Sequence, residues 1–195
     1  MVETAPELLV TTRSVWRACL AENHATSGSI WLVTYKKASG KPRVTYDEIV
    51  NEALCFGWVD SRTGLVDEER KKLWLARRKK GSGWSRINKD RVASLVAASR
   101  MADAGLQVIE AAKADGSWTA LDDSEAGIVP SDLAAALATH PPGVVEWESF
   151  SLSTRKGILQ WIGSAKRPET RAKRIEETAT MAARGENANQ WVRNP

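Results

Sequence analysis

The sequence predicts an α+β fold, with a small, largely antiparallel sheet and helices in the N-terminal half followed by an all-helical C-terminal half. Three observations carry that expectation. Residues 29–36 are rich in β-branched and aromatic side chains, the composition of a half-buried strand, and Leu73-Trp74-Leu75-Ala76 reads as a further strand. Between them, Thr45-Tyr46-Asp47-Glu48 has the spacing of a helix-opening capping box. From Ser85 onward, apolar residues recur every three or four positions with no further strand pattern. The expected division is an α+β half over 1–84, a helical half over 85–185 packed on it as one compact unit, and a tail over 186–195.

At 195 residues the chain can bury roughly 70% of its unfolded surface, so it needs no metal or disulfide to fold. Its 27% charged and 43% apolar residues match ordinary globular proteins rather than disordered ones. No apolar run approaches the ~20 residues of a membrane-spanning helix. The opening residues carry two acids and no basic stretch ahead of an apolar run, which does not read as a secretory signal. Cys19 and Cys55, the only cysteines, each fall in an apolar helical pattern and are expected as reduced core residues. Together these readings predict a cytoplasmic protein.

In chain order, Thr12 is placed to cap a short amphipathic helix with Val15, Trp16, Cys19 and Leu20 on its apolar side. Ser29 to Lys36 follows as a strand, and Ser39-Gly40-Lys41-Pro42 is expected to turn the chain back into Arg43-Val44-Thr45 as a hairpin. The helix opened by Thr45 buries Ile49, Val50, Ala53, Leu54 and Phe56, and Gly57 closes it in the left-handed conformation. Trp58 to Ser61 emerges extended, and after a turn at Arg62-Thr63-Gly64 the chain reaches a further strand at Leu73-Trp74-Leu75-Ala76.

Two helices come next, one burying Ile87, Val92, Leu95 and Val96, the other Leu106, Ile109 and Ala112, with a break near Met101-Ala102-Asp103. Ser117 to Val129 reads as an acidic loop containing Trp118. Helices follow from Pro130 or Ser131 to His140, around Val144 to Trp147, and from a Ser153 cap through Ala165. The last helix opens at Pro168, buries Ala172, Ile175, Ala179 and Ala182, and turns Arg167, Arg171 and Arg174 outward. Trp191 is the one residue placed to anchor the tail.

Net charge is only +4, but its distribution is uneven. Residues 62–91 carry eleven basic and four acidic side chains, 92–154 carry two and nine, and 155–184 carry eight and three. Either the basic segments present a positive surface, or they pair internally with the acidic middle.

The densest stretch holds the main candidate site. Gly81-Ser82-Gly83-Trp84-Ser85 joins a strand to a helix, so its amides, the helix dipole and Arg78 are placed to hold a phosphate or carboxylate. Ser82 and Ser85 lie in that loop, and Asp60 is placed to accept from Arg78 or Asn88 and orient it. Trp58 and Trp84 would form a stacking wall. Against this stands the plainer reading: Ser85 as an ordinary helix cap, Asp60 in a structural salt bridge, and both tryptophans in the core. Lys166, Arg167, Arg171 and Arg174 form a second ligand-binding group, unless they are simply a solvated helix face. Two histidines, His24 and His140, provide little material for a metal centre or a Ser-His-Asp triad. No catalytic residue, metal or cofactor is therefore assigned.

Phe56-Gly57-Trp58-Val59-Asp60-Ser61, the Arg77 to Ser85 stretch with Asn88, and Trp161-Ile162-Gly163-Ser164-Ala165-Lys166-Arg167-Pro168-Glu169-Thr170-Arg171 running on to Ile175 resemble the YdeI/OmpD-associated family of bacterial proteins. The likeness extends from about Trp16 to Gly185. It departs at Leu75-Ala76-Arg77-Arg78, where the family usually has Phe, Ser or Thr, Pro and Arg; Arg78 is retained. The resemblance implies a link to bacteriocin protection or tolerance of cationic antimicrobial peptides, with no established activity or cofactor. Its label also implies the cell envelope, against the cytoplasmic reading of the sequence itself.

The leading expectation is a non-enzymatic binding protein for an anionic small molecule, lipid head group or acidic partner. The alternative is nucleic-acid binding, motivated by tryptophans interleaved with Arg and Lys. An enzyme using Asp60 with Ser82 or Ser85 is a third reading, but the sequence supplies it no general base near neutral pH. Oligomeric state stays open.

Overall fold

Four strands pair in the order β1-β2-β4-β3, with β1 at Glu7–Leu9, β2 at Ser29–Tyr35, β3 at Trp58–Leu65 and β4 at Arg70–Arg77. The structure is a computed structural model that describes residues 5–189, so Trp191 and the end of the expected tail lie outside the described residues. The sheet is mixed: β2–β4 and β3–β4 are antiparallel, whereas β1 runs parallel to β2 through α1 (Arg13–Asn23), the crossover that parallel pairing requires.

β1 was not legible beforehand, and its presence displaces the expected hairpin. After β2 the chain makes one 3-10 turn at Lys37–Ser39, and Arg43 to Thr45 form no strand. Val44 instead donates its amide to Thr34 Oγ1 (3.3 Å), which occupies the place a ladder bond would take. Around Asp60 and Thr63 the β3–β4 register shifts, leaving Ser61 and Arg62 as a bulge.

Helix α2 (Tyr46–Cys55) begins as its sequence dictates. Thr45 Oγ1 accepts from the Glu48 amide, and Glu48 Oε2 accepts from the Thr45 amide at 2.8 Å. Its residues Ile49, Val50, Glu52, Ala53, Leu54 and Cys55 are buried, as befits a helix enclosed by other elements rather than lying on a surface. Helix α1, β3, α3 (Arg86–Ala97) and α4 (Asp103–Ala114) all pack against it. Gly57 then takes φ +74°, and a side chain there would also meet Val108 Cγ2 at 2.7 Å.

The core extends through Trp16, Leu32, Leu75 and Trp84 to Val92, Leu95, Ile109 and Ala112. Helices α3 and α4 contribute to it, and this compact unit runs through Thr119. Several predicted core positions lie outward instead: Val15, Ile87, Val96 and Leu106 are exposed.

The second unit, residues 120–195, has its own helices: α5 (Asp122–Glu125), α6 (Ser131–Thr139), α7 (Pro141–Ser149), α8 (Leu152–Gly163) and α9 (Pro168–Ala182). Helix α5 is a turn within the segment expected as a loop. Ser151, not Ser153, caps α8 by accepting from the Thr154 amide at 3.1 Å. Helix α9 packs on α6, α7 and α8, and its Ile175, Ala179 and Ala182 meet Leu133, Leu137, Trp147 and Ile162. Ala172, expected in that stripe, is exposed. Among the described residues no helix is long and apolar enough to cross a membrane.

One polar group sits inside the first core. The Glu52 side chain is 0% exposed and accepts from Arg13 Nε, Arg17 Nη1 (2.6 Å) and Arg100 Nη2 (2.7 Å). Arg17 Nη2 also donates to the Arg100 carbonyl at 3.0 Å. Glu52→Gln removes the charge that three guanidiniums share and should lower unfolding free energy by about 3 kcal/mol, the low end for a broken buried ion pair because the arginines reach solvent. Urea denaturation of the two proteins measures it; a loss under about 0.5 kcal/mol would show that the charge of Glu52 is dispensable to the fold.

Candidate functional site

β4 ends at Arg77, and the Arg78 amide donates to the Gly57 carbonyl at 3.0 Å, which aims the next residues toward α4. The loop then turns at Gly81, whose φ of +75° only glycine adopts without strain. Within the loop Arg78 Nη1 donates to the Gly83 carbonyl at 2.9 Å, and the guanidinium lies 3.8 Å from the centre of the Trp84 ring. Ser82 Oγ lies 3.4 Å from the same Nη1.

Arg78 is half-buried, its Nε is buried with no partner, and no carboxylate pairs with it among the described residues. Burial pushes its pKa down to about 10, with the charge of Asp60 pulling the other way. Beside it lies a cavity of ≈160 Å³ walled by Lys79, Lys80, Ser82 and Trp84 from the loop and by Val108, Ala112, Asp115 and Ser117 from α4 and the turn after it. Two further cations and one carboxylate thus share the rim with an arginine that lacks a counter-charge.

The loop amides do not form the expected open anion cradle. Asp115 accepts from the Gly81 amide, and the Ser82 amide donates to the Lys79 carbonyl at 3.1 Å. Hydrogen bonds from Ser117, then the charge of Lys80 and the Gly81 amide, hold the Asp115 carboxyl below the usual carboxylate range. Ser85 is the α3 cap, accepting from the Asn88 amide at 3.4 Å. The plainer expectation for Ser85 therefore describes this structure, and any ligand would be held by side chains rather than by a nest of amides.

The aromatic wall is likewise interior. Trp58 and Trp84 are 2% and 1% exposed. Trp58 donates Nε1 to the His24 carbonyl at 3.3 Å, and Trp84 packs at 4.9 Å against Trp118, a residue the sequence placed in an acidic loop. Asp60 bonds neither Arg78 nor Asn88; its Oδ2 accepts from the Tyr46 hydroxyl at 2.8 Å. Val108, Ala112 and Asp115 were missed as site residues, although their i, i+4, i+7 spacing would put them on one face of a helix.

The second basic group lies in the second unit. Arg171 grips Asp132 with Nε–Oδ2 at 2.7 Å and Nη2–Oδ1 at 3.0 Å. Arg174 donates to the Trp161 carbonyl and to Ser164 Oγ (2.9 Å), with its guanidinium 4.9 Å from the Trp161 ring centre. Both arginines therefore tie α9 to α6 and α8 instead of facing outward, whereas Lys166 and Arg167 are exposed. Lys156 pairs with Glu125 in the same unit, so part of the basic segment does neutralise the acidic one internally.

Two family models match the chain. The one described as Domain of unknown function (DUF8412) matches residues 8–108, and the one described as Bacteriocin-protection, YdeI or OmpD-Associated matches residues 126–185. No curated protein and no solved structure matches. The YdeI/OmpD likeness expected over most of the chain is thus carried by the second unit; the motifs around Trp58 and Trp84 fall in the other match.

The Asp60 contact has a pH signature. Burial, then the hydrogen bond to Asp60, push the Tyr46 pKa up to about 12. A folded-state value above the unfolded one means this contribution is complete below pH ~10 and lost as pH rises toward 12. Ultraviolet titration should show one of the two tyrosines ionising late, and Tyr46→Phe should remove that step together with the matching fall in stability.

Proposed function

We propose, on the premise that this chain belongs to the family of the domain of unknown function matching its first unit and carries a bacteriocin-protection, YdeI or OmpD-associated segment after it, that it is a non-enzymatic binding protein for a small anion. The anion binds in the cavity beside Arg78, and binding serves a role related to bacteriocin protection in the cytoplasm. One observation carries the reading: Arg78 is held half-buried on a tryptophan face with its Nε unpartnered and without a carboxylate. A guanidinium removed from water without a counter-charge is costly, and an anion seated against it offsets that cost. Free Cys19 and Cys55 support a reducing location.

The cavity of ≈160 Å³ suits a carboxylate or phosphate monoester with a short apolar body lying against Val108 and Ala112. Thermal unfolding in a chloride-poor buffer, with phosphate, sulfate, acetate and phosphorylated metabolites, is the test. A saturating anion at about 100 times its Kd raises stability by about 2.7 kcal/mol. Arg78→Met should abolish the rise while the Lys166→Gln, Arg167→Gln pair keeps it. No stabilisation by any of these anions, or equal stabilisation of Arg78→Met, refutes the reading.

A second reading, single-stranded nucleic acid, draws on a different observation. Trp31 sits directly opposite Trp74 on β2 and β4, ring centres 5.1 Å apart and nearly perpendicular, with Arg62 4.7 Å from the Trp74 ring centre and Lys72 4.8 Å from that of Trp31. Cations interleaved with aromatic rings are the means by which strands are held without sequence preference. That reading requires oligonucleotide affinity that falls linearly with salt on logarithmic axes and drops in Trp74→Ala; no binding at low salt eliminates it.

A further inference from the structure

A second cavity, sharing no wall with the Arg78 site, lies between α1 and the β1–β2 edge. Its volume is ≈230 Å³, and Leu8, Trp16, Leu20, Ile30 and Trp58 supply apolar walls. The polar groups around it are largely committed to the protein. Trp16 Nε1 donates to the Ile49 carbonyl at 3.0 Å, the Asn23 side chain donates to the Cys19 carbonyl at 2.9 Å, and Glu7 pairs with Lys72 at 2.6 Å.

Besides the Ser27 hydroxyl, His24 is the exception. Its Nδ1 lies 2.9 Å from the Leu20 carbonyl, which can only accept, so Nδ1 carries the proton. Neutral His24 therefore keeps a lone pair on Nε2, a hydrogen-bond acceptor on a residue that lines the cavity. Burial raises the Cys19 pKa, so the thiol beside it is an uncharged, polarisable wall. A void of this size forfeits dispersion contacts that a ligand would restore, and it exceeds the ~150 Å³ that holds benzene.

We propose that this cavity is a binding site for a small neutral aromatic molecule carrying one hydrogen-bond donor, of the indole or phenol class, with its ring between Trp16, Leu20 and Ile30 and its donor on His24 Nε2. A charged ligand does not fit, because Glu7 and Lys72 already neutralise each other and no other ionic side chain lines the space.

Cys19 makes the proposal testable in the intact protein, since Cys55 is fully buried and native thiol labelling reports Cys19 alone. Indole should raise the thermal midpoint, and at ten times its Kd should slow Cys19 labelling about tenfold. N-methylindole, which lacks the donor, should bind about tenfold more weakly, the worth of one hydrogen bond, and His24→Phe should erase that difference. Arg78→Met should leave indole binding unchanged, which separates this site from the anion site. The proposal is overturned if indole gives no stabilisation, if Cys19 labels equally fast with and without it or not at all, or if N-methylindole binds as well as indole.

Discussion

The first unit is arranged around a single carboxylate. Glu52 sits on α2 with no solvent contact, and its two oxygens take donors from Arg13 and Arg17 of α1 and from Arg100 of the turn between α3 and α4. In a low-dielectric interior such a group is tolerable only if its charge is matched. The matching arginines fix where three separate pieces of chain lie. Arg100, so placed, leads into Ala102, whose amide donates to the Cys55 carbonyl at 3.1 Å. Gly105 follows, where an added Cβ would stand 2.2 Å from that same carbonyl oxygen. Helix α4 therefore lies against the end of α2 with no room between, and in that position its Val108 and Ala112 wall the Arg78 cavity.

The arginines of this chain divide by what surrounds them, not by how they cluster in sequence. Arg13, Arg17 and Arg100 converge on one acid, and Arg171 has Asp132. Removing any of these from water is offset within the protein. Arg78 and Arg174 are bonded only to carbonyl and hydroxyl oxygens and stacked on a tryptophan, so neither charge is matched, and of the two it is Arg78 whose Nε is buried without a partner. A basic run in the sequence thus contains cations of two kinds, and only their partners distinguish them.

Tryptophan shows the same division. Trp16, Trp58, Trp84 and Trp147 lie in the two cores, whereas Trp31 and Trp74 face each other across β2 and β4 among cations. In β2 (Ser29–Tyr35) and β4 (Arg70–Arg77) every second side chain lies on one side of the sheet, so a single strand pairing decides which rings are covered.

What the sequence determined by itself is local: the Thr12 and Thr45 caps, the left-handed stop at Gly57 and Pro168 at the start of α9. These depend on hydrogen bonds and dihedral preferences within a few residues, and a one-dimensional pattern records them. Only the tertiary structure decided that three-residue β1 pairs parallel to β2, that α3 and α4 complete the first core, that Asp60 serves Tyr46, and that Asp115 takes the loop amide meant for an anion. Each of those outcomes joins residues from well-separated stretches of chain. Burial and charge pairing there depend on which surfaces meet, and spacing along the chain carries no record of that.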